Sequence, residues 1–149
     1  MGLNVIIDTN VFIVVKNKEP AYEFSKKVLD WIDEGQLRGV VSTVVIAEIC
    51  AGYHAAGELK EKDDFLTHLF TSTNFEVVEV SAGVADEAGR IRAITGLRLP
   101  DALILASGLK RGSECLITND ASLKKAGKLI KVVTPKEFVE QLEGQKKRS

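Results

Sequence analysis

Short apolar runs recur along this chain, separated by longer stretches in which apolar residues return every three or four positions. NVII (4–7), GVVS (39–42), FEVVEV (75–80), CLIT (115–118) and KVVT (131–134) have the length of buried strands and fall short of a helix. The intervening stretches read as helices. Asn10 is placed to cap a short one over VFIVV (11–15), and Pro20 opens a second with Ala21, Phe24, Val28, Trp31 and Ile32 on one face. Gly35 closes that helix, as expected just past a helix end. Ser42 or Thr43 caps a third helix running through Glu48 to about Ala56, where Gly57 breaks it. The charged segment ELKEKDDF (58–65), with Glu58 and Lys62 spaced for an i,i+4 pair, leads into a fourth that ends near Thr71.

From Ala82 to Ile94, Val84, Ala88 and Ile91 repeat at helical spacing, Asp86, Glu87, Arg90 and Arg92 face outward, and Gly96 ends the run. Pro100 then starts the very apolar DALILASGL (101–109), closed by Gly112, and PKEFVEQL (135–142) makes a terminal helix. Strands alternating with helices predict an α/β domain with a mainly parallel, five-stranded sheet flanked by helices. Such sheets bind ligands beyond the carboxyl ends of their strands, at the point where strand order reverses. Asp8 and Asp120 follow the first and fourth apolar runs, so they can share that edge.

The length of 149 residues suits one domain, read here as residues 1–143 followed by a polar tail over 144–149. At 45% hydrophobic and 28% charged residues, the composition is that of a globular protein. A formal charge of −1 means that no overall basic field advertises nucleic acid, although metal ions in an acidic site supply positive charge that a residue count misses. Cys50 and Cys115 are too few for a disulfide framework, lack metal-ligand spacing and read as buried thiols. No stretch has the form of a leader peptide or the length of a membrane span, so the expected location is the cytoplasm.

Four carboxylates interrupt segments otherwise suited to burial: Asp8 in NVIIDTN, Glu48 in VVIAEICA, Asp101 in LRLPDALILA and Asp120 in CLITND. Burying a carboxylate is costly unless it neutralises, pairs or binds a cation. No Lys or Arg lies within four residues of Asp8 or Glu48, so local ion pairs do not explain those two. Each acid also has a structural role open to it. Asp8 and Asp120 can hold turns or caps, Asp101 suits the first turn of a helix, and Glu48 can occupy an exposed helix face. Taken together they have the composition of a Mg2+ or Mn2+ phosphodiesterase site, where hard cations take a few carboxylates plus water and phosphate. Thr9, Asn10 and Thr118 are the polar neighbours able to hold those carboxylates in place. Arg98 is the best candidate for a phosphate contact, whereas His54 and His68 lie apart from the acidic motifs.

The order DTN, a lone Glu in IAEI, RLPDALILA and LITND closely resembles the PIN domain, especially its VapC-like branch, the toxin half of type II toxin–antitoxin pairs. The resemblance runs over essentially the whole chain. It implies a three-layer α/β/α fold, often homodimeric, and a metal-dependent ribonuclease that leaves a 5′-phosphate and a 3′-hydroxyl. Carried over, Asp8, Glu48, Asp101 and Asp120 become the metal-binding catalytic acids, with Thr9, Asn10 and Thr118 supporting them. Some members carry a further acid just after the TND-type motif, where this chain reads ASL (121–123). An antitoxin would be the inhibitory partner, with the apolar face near Val11–Val15 and Tyr53 as a seat for its helix. A housekeeping RNA-processing nuclease and an inert PIN-like RNA- or protein-binding module share the same pattern. A HAD-type phosphatase needs an Asp where Asn10 stands, a receiver domain needs neighbouring acids and a later Lys after a strand, and a dinucleotide fold needs a glycine-rich first turn; none of these is present.

Overall fold

The computed structural model describes residues 3–148. Strands β1 (Leu3–Ile7), β2 (Leu37–Ser42), β3 (Phe75–Val78), β4 (Cys115–Ile117) and β5 (Lys131–Val133) form one sheet in the order β3-β2-β1-β4-β5, every neighbouring pair parallel. Helices α1 (Thr9–Lys16) and α2 (Tyr22–Asp33) link β1 to β2, and α3 (Thr43–Ala56) and α4 (Leu59–Thr71) link β2 to β3. Helices α5 (Ala82–Thr95) and α6 (Leu99–Lys110) carry the chain back across the sheet to β4, a 3₁₀ helix (Ala121–Ala126) precedes β5, and α7 (Pro135–Arg148) ends the fold. The chain walks outward from β1 to β3 and then restarts at β4 on the other side. The switch point therefore lies between β1 and β4.

Side-chain alternation along the strands places the helical layers. A Cβ on Gly108 of α6 would meet Ile6, whereas a Cβ on Gly39, the register partner of Val5, would meet Ile32 of α2. Successive strand residues point to opposite faces, so α6 and α2 cover the two sides of the sheet. Val5, Ile6 and Ile7 are fully buried between them, which explains the near-continuous apolar runs of the central strands.

The expected elements all form, with corrections at their ends. Asp8, not Asn10, caps α1: its side chain accepts from the Thr9 amide, and Asn10 sits inside the first turn. Pro20 lies in the loop before α2, and Ala21 takes the N-cap position in a left-handed conformation with φ of 65°. Ser42 is the cap of α3, accepting from the Val44 amide at 3.1 Å. The polar residues expected as a tail instead continue α7 as far as Arg148, while Ser149 lies outside the described residues. Glu58 pairs with Lys16 at 3.2 Å rather than with Lys62. Among the described residues no helix is long and apolar enough to cross a membrane.

Candidate functional site

The site starts at the switch point. The Asp8 amide donates to the Ile117 carbonyl at 3.1 Å, which holds the end of β1 beside β4, and the Thr118 amide donates to the Val133 carbonyl at 3.0 Å, which holds the end of β4 beside β5. The Thr118 hydroxyl crosses the gap between β4 and β1 and donates to Asp8 Oδ2 at 2.7 Å. Asn10 Nδ2 donates to the same oxygen at 3.0 Å, and the Thr9 amide donates to Oδ1 at 2.8 Å. Asp8 is only 5% exposed, yet both its oxygens are satisfied by neutral donors. Thr118 is a junction, because its oxygen also accepts from Asn10 Nδ2 at 3.2 Å and from the Asp120 amide at 3.0 Å.

Burial raises the Asp8 carboxyl above the ordinary range of an aspartate. The Thr118 hydroxyl and the Thr9 amide oppose that rise, and the charges of Asp101 and Glu48 add to it. Asp101 and Glu48 thus share a field with Asp8, with no cation among the main influences on that carboxyl. Glu48 interrupts an apolar segment but takes the exposed face of α3, whose buried residues are Val45 and Ile49. Its Oε1 accepts from the Thr9 hydroxyl at 2.5 Å, which ties α3 to the first turn of α1. Asp101 is half-buried in the first turn of α6, where the dipole favours an acid, and Arg98 Nε lies 3.4 Å from its Oδ2.

Asp120 stands differently. Its Oδ1 accepts from the hydroxyl and the amide of Ser122 at 2.7 and 2.9 Å, so it caps the 3₁₀ helix. Those Ser122 bonds, followed by the nearby charges of Arg98 and Lys125, hold its carboxyl below the usual range. Asp101 and Glu48 therefore each act on Asp8, and Asp120 joins Asp8 through Thr118. Sequence reasoning missed Asn119 and Ser25: the Asn119 amide donates to Asn10 Oδ1 at 2.9 Å and its Nδ2 to Ser25 Oγ at 3.3 Å. The only signal for Asn119 was its place between Thr118 and Asp120; nothing local marks Ser25.

The donor set is carboxylate oxygen supported by hydroxyl and amide groups, which suits a hard divalent cation. Among the described residues no group of three or more His, Cys, Asp or Glu side chains stands close enough to enclose an ion. The two histidines stay apart: His68 pairs with Asp33 at 2.8 Å, and His54 is exposed on α3. Burial pushes the Cys115 thiol up to about 12, leaving it unreactive, while Cys50 is half-buried.

No curated protein matches the chain in sequence. Among solved structures, the fold is similar to a toxin–antitoxin complex from Klebsiella pneumoniae, with a TM-score of 0.67 and 24% identity over 88% of this chain and 97% of the other. It is similar to VapBC2 from Rickettsia felis bound to a DNA fragment from its promoter, with a TM-score of 0.69 and 19% identity over 89% and 98%. It is also similar to VapBC-5 from Mycobacterium tuberculosis, with a TM-score of 0.56 and 22% identity over 88% and 96%. The family model for the PIN domain matches residues 5–129, which takes in all four acids. With that match over most of its length and five parallel strands in one helix-flanked sheet, this chain belongs to the PIN domain family.

Proposed function

We propose that this protein is a Mg2+- or Mn2+-dependent endoribonuclease of the VapC-like toxin kind. The observation that carries the reading is the buried Asp8 carboxylate at the switch point, held by three neutral donors and facing the charges of Asp101 and Glu48. That arrangement is unfavourable by itself and becomes favourable once a cation offsets the charge. When bound, the ion supplies Lewis-acid stabilisation of phosphoryl charge and eases deprotonation of a water. Asp8 and Asp101 would hold the ion, and Glu48, fixed by the Thr9 hydroxyl, would orient and take a proton from water on the exposed side. Asn10 and Thr118 keep the Asp8 carboxylate from rotating. Asp120 acts at the outer edge, and Arg98 turns toward substrate phosphate.

The partner proposal rests on a second feature. A groove of about 290 Å³ opens between α1, α2, α3 and α4, with Phe12, Ile13, Leu29, Tyr53 and Phe65 among its lining. It includes the face of α1 expected to receive an inhibitory helix, and the similar folds of toxin–antitoxin complexes support an antitoxin as occupant. We further propose that the active form is a cytoplasmic homodimer, which analytical ultracentrifugation of the purified protein would test.

Cleavage of a panel of structured and single-stranded RNAs, with Mn2+, Mg2+ or EDTA, tests the enzyme. Metal-dependent cutting that disappears in Asp8→Asn supports it, and full activity in that variant would overturn it. A small upstream reading frame whose product forms a complex with this chain and silences cleavage would mark a toxin rather than a housekeeping RNA-processing nuclease.

A further inference from the structure

The turn that joins α5 to α6 gathers cations from three separate elements. Arg92, in the last turn of α5, donates from Nη1 to the Leu97 carbonyl at 2.8 Å. Lys125, in the 3₁₀ helix that Asp120 caps, donates from Nζ to the Gly96 carbonyl at 3.2 Å. Arg98 belongs to the turn itself, and its Nε faces Asp101 at 3.4 Å. All three side chains belong to exposed residues, Arg98 with 76% of its side chain open to solvent.

Two of these cations, Arg92 and Lys125, differ from six others on the surface. Lys26, Lys27, Lys60, Arg90, Arg111 and Lys124 each face an acid within 3.0 Å, so their charges are locally offset. Arg92 and Lys125 instead rest on neutral peptide carbonyls, and among the described residues neither has a carboxylate ion pair. Each arginine uses one nitrogen in these contacts, and a guanidinium has five N–H donors, so a fork remains for a second, bidentate partner. In a chain whose formal charge is −1, this is a local concentration of charge rather than part of a general basic field.

Its position gives it meaning. Arg98 Nε stands 3.4 Å from Asp101, and Lys125 lies in the 3₁₀ helix that Asp120 caps, whereas Asp8 and Glu48 are joined through Thr9, whose amide and hydroxyl donate to them. The site is therefore polarised, acidic at Asp8 and Glu48 and basic beyond Asp101 and Asp120. We infer that Arg92, Arg98 and Lys125 form a phosphate-binding rim that seats the RNA backbone beside the carboxylates. The inference rests on the nuclease reading and extends it to substrate positioning: phosphates next to the scissile one lie on the rim, and the scissile one faces the acids. Holding the carbonyls of Gly96 and Leu97 then also keeps the cations in place before RNA arrives, which lowers the ordering cost of binding.

The test is binding of a short, fluorescein-labelled single-stranded RNA by anisotropy across a salt series in EDTA, in an Asp8→Asn background that prevents cleavage. Removing one cation that neutralises a phosphate should reduce the slope of log K against log salt by about 0.7 for a single strand. The Arg92→Gln/Lys125→Gln pair should therefore weaken binding and flatten the slope by about 1.4. Lys60→Gln, which removes a cation paired with Asp64 on α4, should leave the slope as it was. If the double variant unfolds, as judged by circular dichroism, Lys125→Gln alone carries the test with an expected change of about 0.7. An unchanged slope in a folded variant would overturn the rim alone and leave the nuclease standing. So would a change in oligomeric state with RNA binding intact, which would make the patch a protein interface. No RNA binding by the Asp8→Asn parent at any salt would overturn both.

Discussion

Gly108→Ala sets two effects of known sign against each other. Gly108 lies in the last turn of α6, where alanine is still the better helix former, by up to about 1 kcal/mol. Propensity alone therefore makes the substitution stabilising. The structure opposes it. A Cβ at this position would stand 2.7 Å from Ile6 Cβ and 2.8 Å from its Cγ2, against about 3.5–4.0 Å for a comfortable carbon–carbon contact. Ile6 Cβ belongs to a fully buried residue in the middle strand of the sheet, so no rotamer change can move it aside. Helix α6 must lift by about 1 Å or the strand must bend, and overpacking of this kind costs about 1–3 kcal/mol. With a contact this short the upper part of that range applies, so the net effect is a loss of about 1–2 kcal/mol.

Urea unfolding of wild type and Gly108→Ala measures that loss directly. A double-mutant cycle separates part of the cause: an Ile6→Ala background removes the Cγ contacts at 2.8 and 3.1 Å but keeps the Cβ one, so Gly108→Ala should cost less there than in wild type but still cost something. The consequence reaches the site, because Asp101 is seven residues, about two turns, up the same helix. Lifting α6 moves Asp101 relative to Asp8, so Gly108→Ala should also weaken Mn2+ binding while Asp8 and Asp101 are both present. A variant as stable as wild type or more so would refute the close-packing account of this helix.

The other predictions concern the site and one strained turn. Asp8 ionises less readily folded than unfolded, so its ionisation weakens the metal-free fold as pH rises from the unfolded aspartate pKa, about 3.9, through the higher folded one. The stability of Asp8→Asn relative to wild type should therefore improve with pH across that window in EDTA, and a flat difference from pH 4 to 7 would contradict it. Thr118→Val removes a hydroxyl, 1% exposed as a residue, that serves Asp8, Asn10 and the Asp120 amide, and should cost about 1–3 kcal/mol by chemical denaturation. It should also raise the Asp8 carboxyl further, because Thr118 is the largest influence holding it down; NMR titration of the side-chain carboxyl carbon reads this. Ala21→Gly should stabilise by about 0.5–1 kcal/mol, because φ of 65° strains alanine by more than the added unfolded-state freedom of glycine costs; no gain in the melting curve would count against it.

Much of this fold could be read locally. Each strand is an apolar run because both faces of the parallel sheet are covered, and Gly35, Gly57, Gly96 and Gly112 mark helix ends because all four take positive φ. Asp8 at a strand end was legible for the same reason. What was not legible depends on neighbours distant in sequence. Glu48 looked enclosed by apolar residues, yet the orientation of α3 turns it outward, and that is set by how the helix packs. Asp8 displaced Asn10 as the cap of α1 because Asn10 is engaged instead with Asp8, Thr118 and Asn119 across the switch point. Asp120 shares the site edge as expected, but its carboxylate serves its own turn, a local role that the sequence allowed without choosing it. Arg92 and Lys125 carry no motif at all. Their convergence on the 96–98 turn exists only after α5, α6 and the 3₁₀ helix are brought together.

The most direct measurement is calorimetric titration of Mn2+ into metal-free protein at neutral pH, with Asp8→Asn and Asp101→Asn in parallel. A cation held at the switch point predicts saturable binding in wild type that is lost or strongly weakened in both folded variants. Binding that is absent in wild type, or that survives unchanged in both variants, would contradict it.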